Sequence, residues 1–330
     1  MTKVAINGLG RIGRAALKIL LDTPELDLVA INDLVPADNL AYLLKYDTVY
    51  GRYEKEVKAG DGSLIIDGKE YNLLSEKDPS NLPWKDMEID LVFECTGVFS
   101  KREDLKKHIE AGAKHVIISA PAKSGDVATV VHGVNRAEEG ADIISCASCT
   151  TNCITPVVEV MKRRIGIKKA IMTTIHAYTS TQAIVDGPNK KMRRGRAAAQ
   201  NFVPTSTGAA KATTKAIPEL EGKFDGVAVR APIVVGSITD IIFVTERETS
   251  VDEVNNILRE EAASDKYKGI LGASDDELVS SDIIGDSRAS IVDLPMTQVV
   301  DGDLVKIMSW YDNEWGYANQ MIREAIRMYS

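Results

Sequence analysis

The stretch Lys3-Val4-Ala5-Ile6-Asn7-Gly8-Leu9-Gly10-Arg11-Ile12-Gly13, with Leu26-Asp27-Leu28-Val29-Ala30-Ile31-Asn32-Asp33 after it, decides the fold. Residues 3–8 are an apolar-rich strand that runs directly into the turn G-x-G-x-x-G. Arg14 to Leu21 reads as a helix, with Ala15, Ala16, Ile19 and Leu20 on one side. Residues 26–32 are a second strand, and Asp33 ends it 20 residues after the last glycine. A glycine triplet alone is weak evidence. Strand, glycine turn, helix, strand and terminal acid in this order are strong evidence for a dinucleotide site. Gly8, Gly10 and Gly13 permit a tight turn and close approach of backbone to a pyrophosphate, and the helix start aims N–H donors at the same anion. Asp33 can hydrogen-bond both ribose hydroxyls, and its charge would repel a 2′-phosphate. The pattern therefore points to NAD rather than NADP; the competing reading makes Asp33 a turn residue with no ligand.

Working outward, the same alternation continues. Leu40 to Leu44 is a short helical pattern, and Val57 to Tyr71 a small hairpin region with turns at Gly60-Asp61-Gly62 and Asp67-Gly68. Asp90 to Cys95 and His115 to Ser119 are nearly all-apolar strands of the kind buried in a parallel sheet. Between them lies an amphipathic helix, Lys101 to Ala111, with Gly112 as C-cap. Ala128 to Gly133 and Asp142 to Ser145 complete the pattern, so the first half is an α/β, doubly wound parallel sheet of the Rossmann type. Past residue 149 the rhythm changes. Helices are expected at Thr151 to Arg164, Gly208 to Ile217 and Val251 to Ala263, and strands at Lys168 to Tyr178, within Gly226 to Thr245, at Ser290 to Gln298 and at Leu304 to Tyr311. These longer, less regularly connected strands suit an α+β domain with a mixed or antiparallel sheet and helices on one face. The expected organisation is a Rossmann domain over residues 1–148, a catalytic domain over 149–312, and a last helix, 313–330, that packs back on the first domain.

Composition narrows the function. The 330 residues carry a net charge of −8, which argues against a general nucleic-acid binder. No apolar run approaches the roughly 20 residues of a membrane span. The chain goes straight into a strand, so no signal peptide is expected, and the cytoplasm is the simplest compartment. Cysteines 95, 146, 149 and 153 do not resemble a disulfide framework. The spacing C-x-x-C-x-x-x-C has a superficial fit to a metal site, but a matching second ligand group is absent and the four histidines are scattered, so no metal is expected.

One stretch carries chemistry of its own: Ser145-Cys146-Ala147-Ser148-Cys149-Thr150-Thr151-Asn152-Cys153. Ser148 and Thr150 are good N-cap types, so a helix opens here. A thiol at a helix N-terminus sits in the positive end of the helix dipole, which favours its thiolate and makes Cys149 a candidate nucleophile. The bland reading is that Cys149 and Cys153 are small core residues one turn apart on one helix face.

Seven motifs in order resemble the glyceraldehyde-3-phosphate dehydrogenase family over the whole chain. They are Asn7 to Arg14; Leu43-Leu44-Lys45-Tyr46-Asp47; Ser148 to Cys153; His176-Ala177-Tyr178-Thr179; Arg196-Ala197-Ala198-Ala199-Gln200; Pro204 to Lys211; and Trp310 to Tyr317. The resemblance implies that Cys149 attacks an aldehyde as thiolate, that His176 pairs with it and takes the hydroxyl proton as hydride leaves for the cofactor, and that inorganic phosphate then displaces the thiolate. It implies one phosphate site from Thr179, Thr181 and Arg230 and another from Ser148, Thr150, Arg194, Thr207 and Gly208. For NAD it implies Arg11 and Ile12 at the pyrophosphate, Asp33 at the ribose, Lys77 near the adenine, Ser119, Asn313 at the nicotinamide amide, and Tyr317 flanking the ring. The bland alternative for Asn313 is a helix N-cap.

A homotetramer using glyceraldehyde 3-phosphate and inorganic phosphate is the family expectation. Two positions depart from the family pattern. Cys146 replaces a common asparagine and places a third thiol near the site, which raises the expected sensitivity to oxidation. Lys77 stands where arginine is often seen. An erythrose-4-phosphate dehydrogenase is the rival within the family, and a non-catalytic NAD- or RNA-binding module the rival outside it.

Overall fold

A computed structural model describes residues 1–330, which divide into two compact units. The first comprises Met1–Val130, Arg136–Ala147 and Met321–Ser330; the second comprises Val131–Asn135 and Ser148–Gln320.

The first unit holds strands β1 (Thr2–Asn7), β2 (Leu26–Asn32), β3 (Tyr46–Asp47), β4 (Gly51–Arg52), β5 (Val57–Gly60), β6 (Ser63–Ile66), β7 (Lys69–Leu74), β8 (Leu91–Glu94), β9 (His115–Ile118), β10 (Ala128–Thr129) and β11 (Ile143–Ser145). Its helices are α1 (Arg11–Leu20), α2 (Ala37–Lys45) and α3 (Arg102–Glu110). The main sheet runs β10-β11-β9-β8-β1-β2-β7-β6-β5. From β7 to β11 every pairing is parallel, and β1 separates the two directions of winding. That reversal of strand order is where open α/β sheets bind their ligands. The apolar runs explain the burial: Leu91, Val92 and Phe93 are covered on both faces, as parallel strands require. The hairpins β5–β6–β7 add an antiparallel flank, turning at Asp67-Gly68 with φ of 48° and 78°.

The second unit holds β12 (Ile167–Ala177), β13 (Val203–Ser206), β14 (Phe224–Ala231), β15 (Ser237–Thr245), β16 (Leu271–Ser274), β17 (Ser290–Val300) and β18 (Leu304–Tyr311), ordered β13-β14-β12-β15-β18-β17-β16. The sheet is mixed: β12–β14 and β16–β17 are parallel and the other pairs antiparallel. Helices α4 (Cys149–Arg164), α5 (Ala209–Ala216) and α6 (Val251–Ala262) cover one face. Val157, Met161, Leu258, Ile241, Phe243 and Ile307 form its core. Strand β15 alternates buried and half-buried positions along its length, the period of a sheet packed on one side.

Three expectations shift. Residues Ala128 to Gly133 form only a two-residue strand, because Val131–Asn135 leave for the second unit, where Val134 packs on its core. The edge strands β13 and β16 carry no sequence signal of their own. The last helix, α7 (Trp315–Met328), begins two residues later than expected, and the division between the units falls within it, after Gln320. Its start is capped by Asp312, whose Oδ1 accepts from Glu314 N at 2.9 Å and Trp315 N at 2.7 Å, so Asn313 is not the cap.

Candidate active site

The glycine turn shows three separate roles. Gly8 has φ +94°, and a Cβ there would lie 2.8 Å from Thr96 backbone. A Cβ on Gly13 would lie 1.9 Å from Gly8 O, so the third glycine lets α1 start against the turn. Gly10 faces open space, with nothing within 4 Å of its Cβ position, as backbone approach to a pyrophosphate requires. Gly10 also N-caps α1, and its neighbours Arg11 and Ile12 supply the first helical N–H groups. The Arg11 side chain pairs with Asp47 at 2.5 Å, while its backbone N–H stands at the helix start.

A cavity of about 710 Å³ opens beside the turn, lined by Asn7, Gly8, Gly10, Asn32, Asp33, Glu76, Lys77 and Thr96 among others. Asp33 is held by two backbone donors, Leu9 N to Oδ2 at 2.6 Å and Val35 N to Oδ1 at 2.9 Å. These bonds tie the acid to the glycine turn and fix its carboxylate at the cavity wall. Lys77 is exposed at the rim. Ser119 is not among the lining residues; its backbone N donates to Glu94 O and its hydroxyl serves Cys95.

In the second unit, α4 starts at Cys149. Ser148 caps it by accepting from Thr151 N at 3.2 Å. Cys149 Sγ lies 3.4 Å from His176 Nε2. His176 is buried near the end of β12, and the parallel register sets Arg230 of β14 opposite it. Arg230 Nη1 meets His176 Nδ1 at 2.7 Å and donates to Ala177 O at 2.8 Å, while Nδ1 itself lies 2.7 Å from that carbonyl. The Tyr311 ring stands edge-on to the imidazole at 5.9 Å. Its hydroxyl links Thr150 Oγ1 and Thr174 Oγ1, each at 2.9 Å.

This arrangement gives Nδ1 a partner in either tautomer. With its proton on Nε2, His176 accepts from Arg230 and points a donor at the sulfur. With its proton on Nδ1, it donates to Ala177 O and offers Nε2 as an acceptor. Burial, reinforced by the Arg230 charge, lowers the imidazole pKa to about 3, so the resting ring is neutral. The thiol departs from expectation. Burial pushes Cys149 up, although Arg230 and the Thr150 N–H and hydroxyl pull it down. Arg230 and the helix start, rather than an imidazolium, are what favour the thiolate here.

The expected phosphate residues are partly brought together. Thr179 and Thr181 hydroxyls are 2.8 Å apart, and Arg194 Nη1 reaches Thr181 Oγ1 at 3.5 Å, so Arg194 stands beside the other set. Arg194 Nε also donates to Thr205 Oγ1 at 3.0 Å, whereas Arg196 is spent on Asp186 at 2.8 Å. Thr207 Oγ1 accepts from Ala209 N at 3.1 Å, and Gly208 precedes α5. The Thr150 hydroxyl turns inward to Tyr311. Asn313 Oδ1 accepts from Ser237 Oγ at 2.9 Å, and Tyr317 is buried in α7. Tyr311 and the Ala177 carbonyl were not visible in the sequence as site groups. The signal for Tyr311 was a buried period-two position at the end of β18.

The remaining thiols are buried and held protonated. Cys153 lies among Thr239, Ser290 and Ser309, and burial lifts its pKa to about 11; Cys95 is lifted to about 12 for the same reason. Cys146 is 3% exposed, and burial, aided by Glu324, holds its pKa well above the usual thiol range. This corrects the expected oxidation sensitivity, since only thiolates react readily. After mild peroxide, mass spectrometry is expected to find Cys149 oxidised and Cys146 intact; oxidised Cys146 would reverse the correction. No three His, Cys, Asp or Glu side chains gather as a metal site.

A glycine-turn pocket closed by an aspartate defines a dinucleotide binder, and a helix-start cysteine on an imidazole defines a thiol-dependent catalyst. A chain with both is a nucleotide-dependent oxidoreductase. Residues 2–102 match the NAD binding domain of glyceraldehyde 3-phosphate dehydrogenase, and residues 148–313 match its C-terminal domain. The chain is 47% identical to glyceraldehyde-3-phosphate dehydrogenase 1 of Bacillus cereus, over 100% of this chain and 99% of that one. It is 48% identical to the Geobacillus stearothermophilus glyceraldehyde-3-phosphate dehydrogenase, over 97% and 96%. The chain belongs to the glyceraldehyde-3-phosphate dehydrogenase family and is an NAD-dependent oxidoreductase.

Proposed function

We propose that this chain oxidises D-glyceraldehyde 3-phosphate with NAD and inorganic phosphate to 1,3-bisphosphoglycerate. The observation that carries the reading is Cys149 Sγ at 3.4 Å from His176 Nε2, with Arg230 fixed behind the imidazole. The Cys149 thiolate attacks the aldehyde carbon, a C–S bond forms, and the carbonyl oxygen becomes an oxyanion facing His176 Nε2–H. Bound NAD supplies the hydride acceptor, and a thioester remains on Cys149. Phosphate oxygen then attacks that carbon, the C–S bond breaks, and the thiolate returns. In the tautomer whose proton sits on Nδ1 and is held by Ala177 O, His176 Nε2 is the acceptor that takes the proton phosphate gives up.

Thr179, Thr181, Arg194 and Arg230 serve one phosphate, and Ser148, Thr207 and Gly208 the other; the Thr150 hydroxyl is kept by Tyr311. Gly8, Gly10, Arg11, Ile12, Gly13, Asp33 and Lys77 serve NAD. Asn313, with Oδ1 fixed by Ser237, donates through its amide to the cofactor's carboxamide, and Tyr317 supports it. A cytoplasmic homotetramer completes the proposal. Support for self-association comes from apolar side chains left exposed in the second unit's sheet, Ile171, Val227, Val300 and Leu304. No helix is long and apolar enough to cross a membrane.

The test is NADH formation from glyceraldehyde 3-phosphate and NAD, followed at 340 nm with and without inorganic phosphate. A phosphate-dependent signal is expected, and its absence would overturn the reading.

A further inference from the structure

Behind the dinucleotide pocket lies a chain of buried polar groups that the glycine turn and Asp33 do not explain. Glu94, at the end of β8, is 1% exposed, and His108, on α3, is 0% exposed. Glu94 Oε2 accepts from Asn7 Nδ2 at 2.6 Å and faces His108 Nε2 at 3.2 Å. Its Oε1 accepts from Thr96 N at 2.8 Å and from the Thr96 hydroxyl. Trp84 Nε1 donates to His108 Nδ1 at 3.0 Å, and that bond decides the tautomer. An indole nitrogen is a donor only, so Nδ1 is the acceptor, the ring proton sits on Nε2, and Nε2 donates to Glu94.

From Glu94 the order passes to the pocket wall. Because Asn7 Nδ2 is drawn to the carboxylate, Asn7 Oδ1 turns to Asn32 and accepts from its Nδ2 at 2.7 Å. Asn32 in turn clasps the Glu76 backbone, Nδ2 to O at 2.9 Å and Oδ1 from N at 2.8 Å. Asn7, Asn32, Glu76 and Thr96 all line the cavity, whereas Glu94, His108 and Trp84 do not. One oxygen of Glu94 thus sets the wall made by β1, β2 and the Glu76 backbone, and the other sets Thr96 across the switch in strand order. A fully satisfied buried network of this kind specifies one arrangement, and a broken member leaves donors unpaired.

We propose that Glu94 and His108 are positioning residues for NAD, holding the pocket wall in its receptive form from outside the pocket. The proposal rests on the reading that this cavity takes NAD. Calorimetric titration of NAD into the full-length protein tests it. Glu94→Gln puts an amide donor among four donors, so the Kd for NAD is expected to rise about tenfold, with kcat at saturating NAD within about twofold. His108→Leu strands the Trp84 N–H and one Glu94 lone pair, and a rise of about fivefold is expected. His108→Gln offers an acceptor to Trp84 and a donor to Glu94, so it should rescue the Kd to within about twofold of wild type. Leu105→Val, a core trim on the same helix, should lower Tm without moving the Kd.

Unchanged binding in Glu94→Gln would overturn the proposal. So would equal weakening by His108→Gln and His108→Leu, or a Kd rise in Leu105→Val that matches the Glu94→Gln rise. Should His108→Leu fail to fold, Glu94→Gln and His108→Gln decide alone. A wild type that does not bind NAD sinks the functional reading along with this one, which separates the two failures.

Discussion

Cys149→Ser is expected to lower kcat by about 10⁴-fold or more while leaving the Kd for NAD within about twofold. In the proposed reaction the sulfur is the group that bonds the aldehyde carbon. A serine hydroxyl in its place keeps the shape but gives up its proton far less readily. Arg230 and the α4 start, which favour a thiolate, cannot bring an alkoxide into reach. NAD binding rests on the first unit's glycine turn and Asp33, so it should survive. Stopped-flow measurement of the first turnover gives the readout. Turnover within about tenfold of wild type would move the nucleophile elsewhere.

His176→Asn should cost about 10²- to 10⁴-fold in kcat, the range of a positioned proton-transfer group. Its second effect is on acid stability, and the sign follows from the ring being held neutral. The folded-state pKa is about 3 and the unfolded value 6.5. Stability from this group is whole above the unfolded value and is lost as pH falls toward about 3, because only the unfolded chain takes up the proton. Between pH 7 and pH 5 the wild type should lose about 2 kcal/mol through His176. Urea unfolding at the two pH values should show the Asn variant losing less by that amount. Equal losses in the two proteins would mean that the ring takes up its proton as readily in the fold as in the unfolded chain.

How far the site was legible depends on how far apart its parts are in the chain. Gly8, Gly10, Gly13 and Asp33 could be read because turn geometry and helix start are set by near neighbours. The N-cap role of Ser148 and the place of Cys149 at a helix start were legible for the same reason. The rise in the Cys149 pKa was not, since desolvation is contributed by elements packed around α4. The Arg230–His176 contact, between residues 54 apart, exists only because β12 and β14 pair in parallel with these two opposite. The expected phosphate role of Arg230 is thus joined by an imidazole contact that no spacing announced. Cys146 misled for a related reason: closeness in sequence to the nucleophile said nothing about its burial in the first unit's core.

Read alone, the chain carries most of the order of strands and helices, the glycine turn, Asp33 at the end of β2 and Cys149 at a helix start. Each is a local pattern, written in residues a few positions apart. Tertiary structure alone decided the tautomer choices of His176, the burial of Cys146 and the buried relay from Trp84 through His108 and Glu94 to Asn7. Those depend on which distant donors, acceptors and charges share a low-dielectric space. Sheet register and packing set that sharing, and a linear reading of the chain does not contain it.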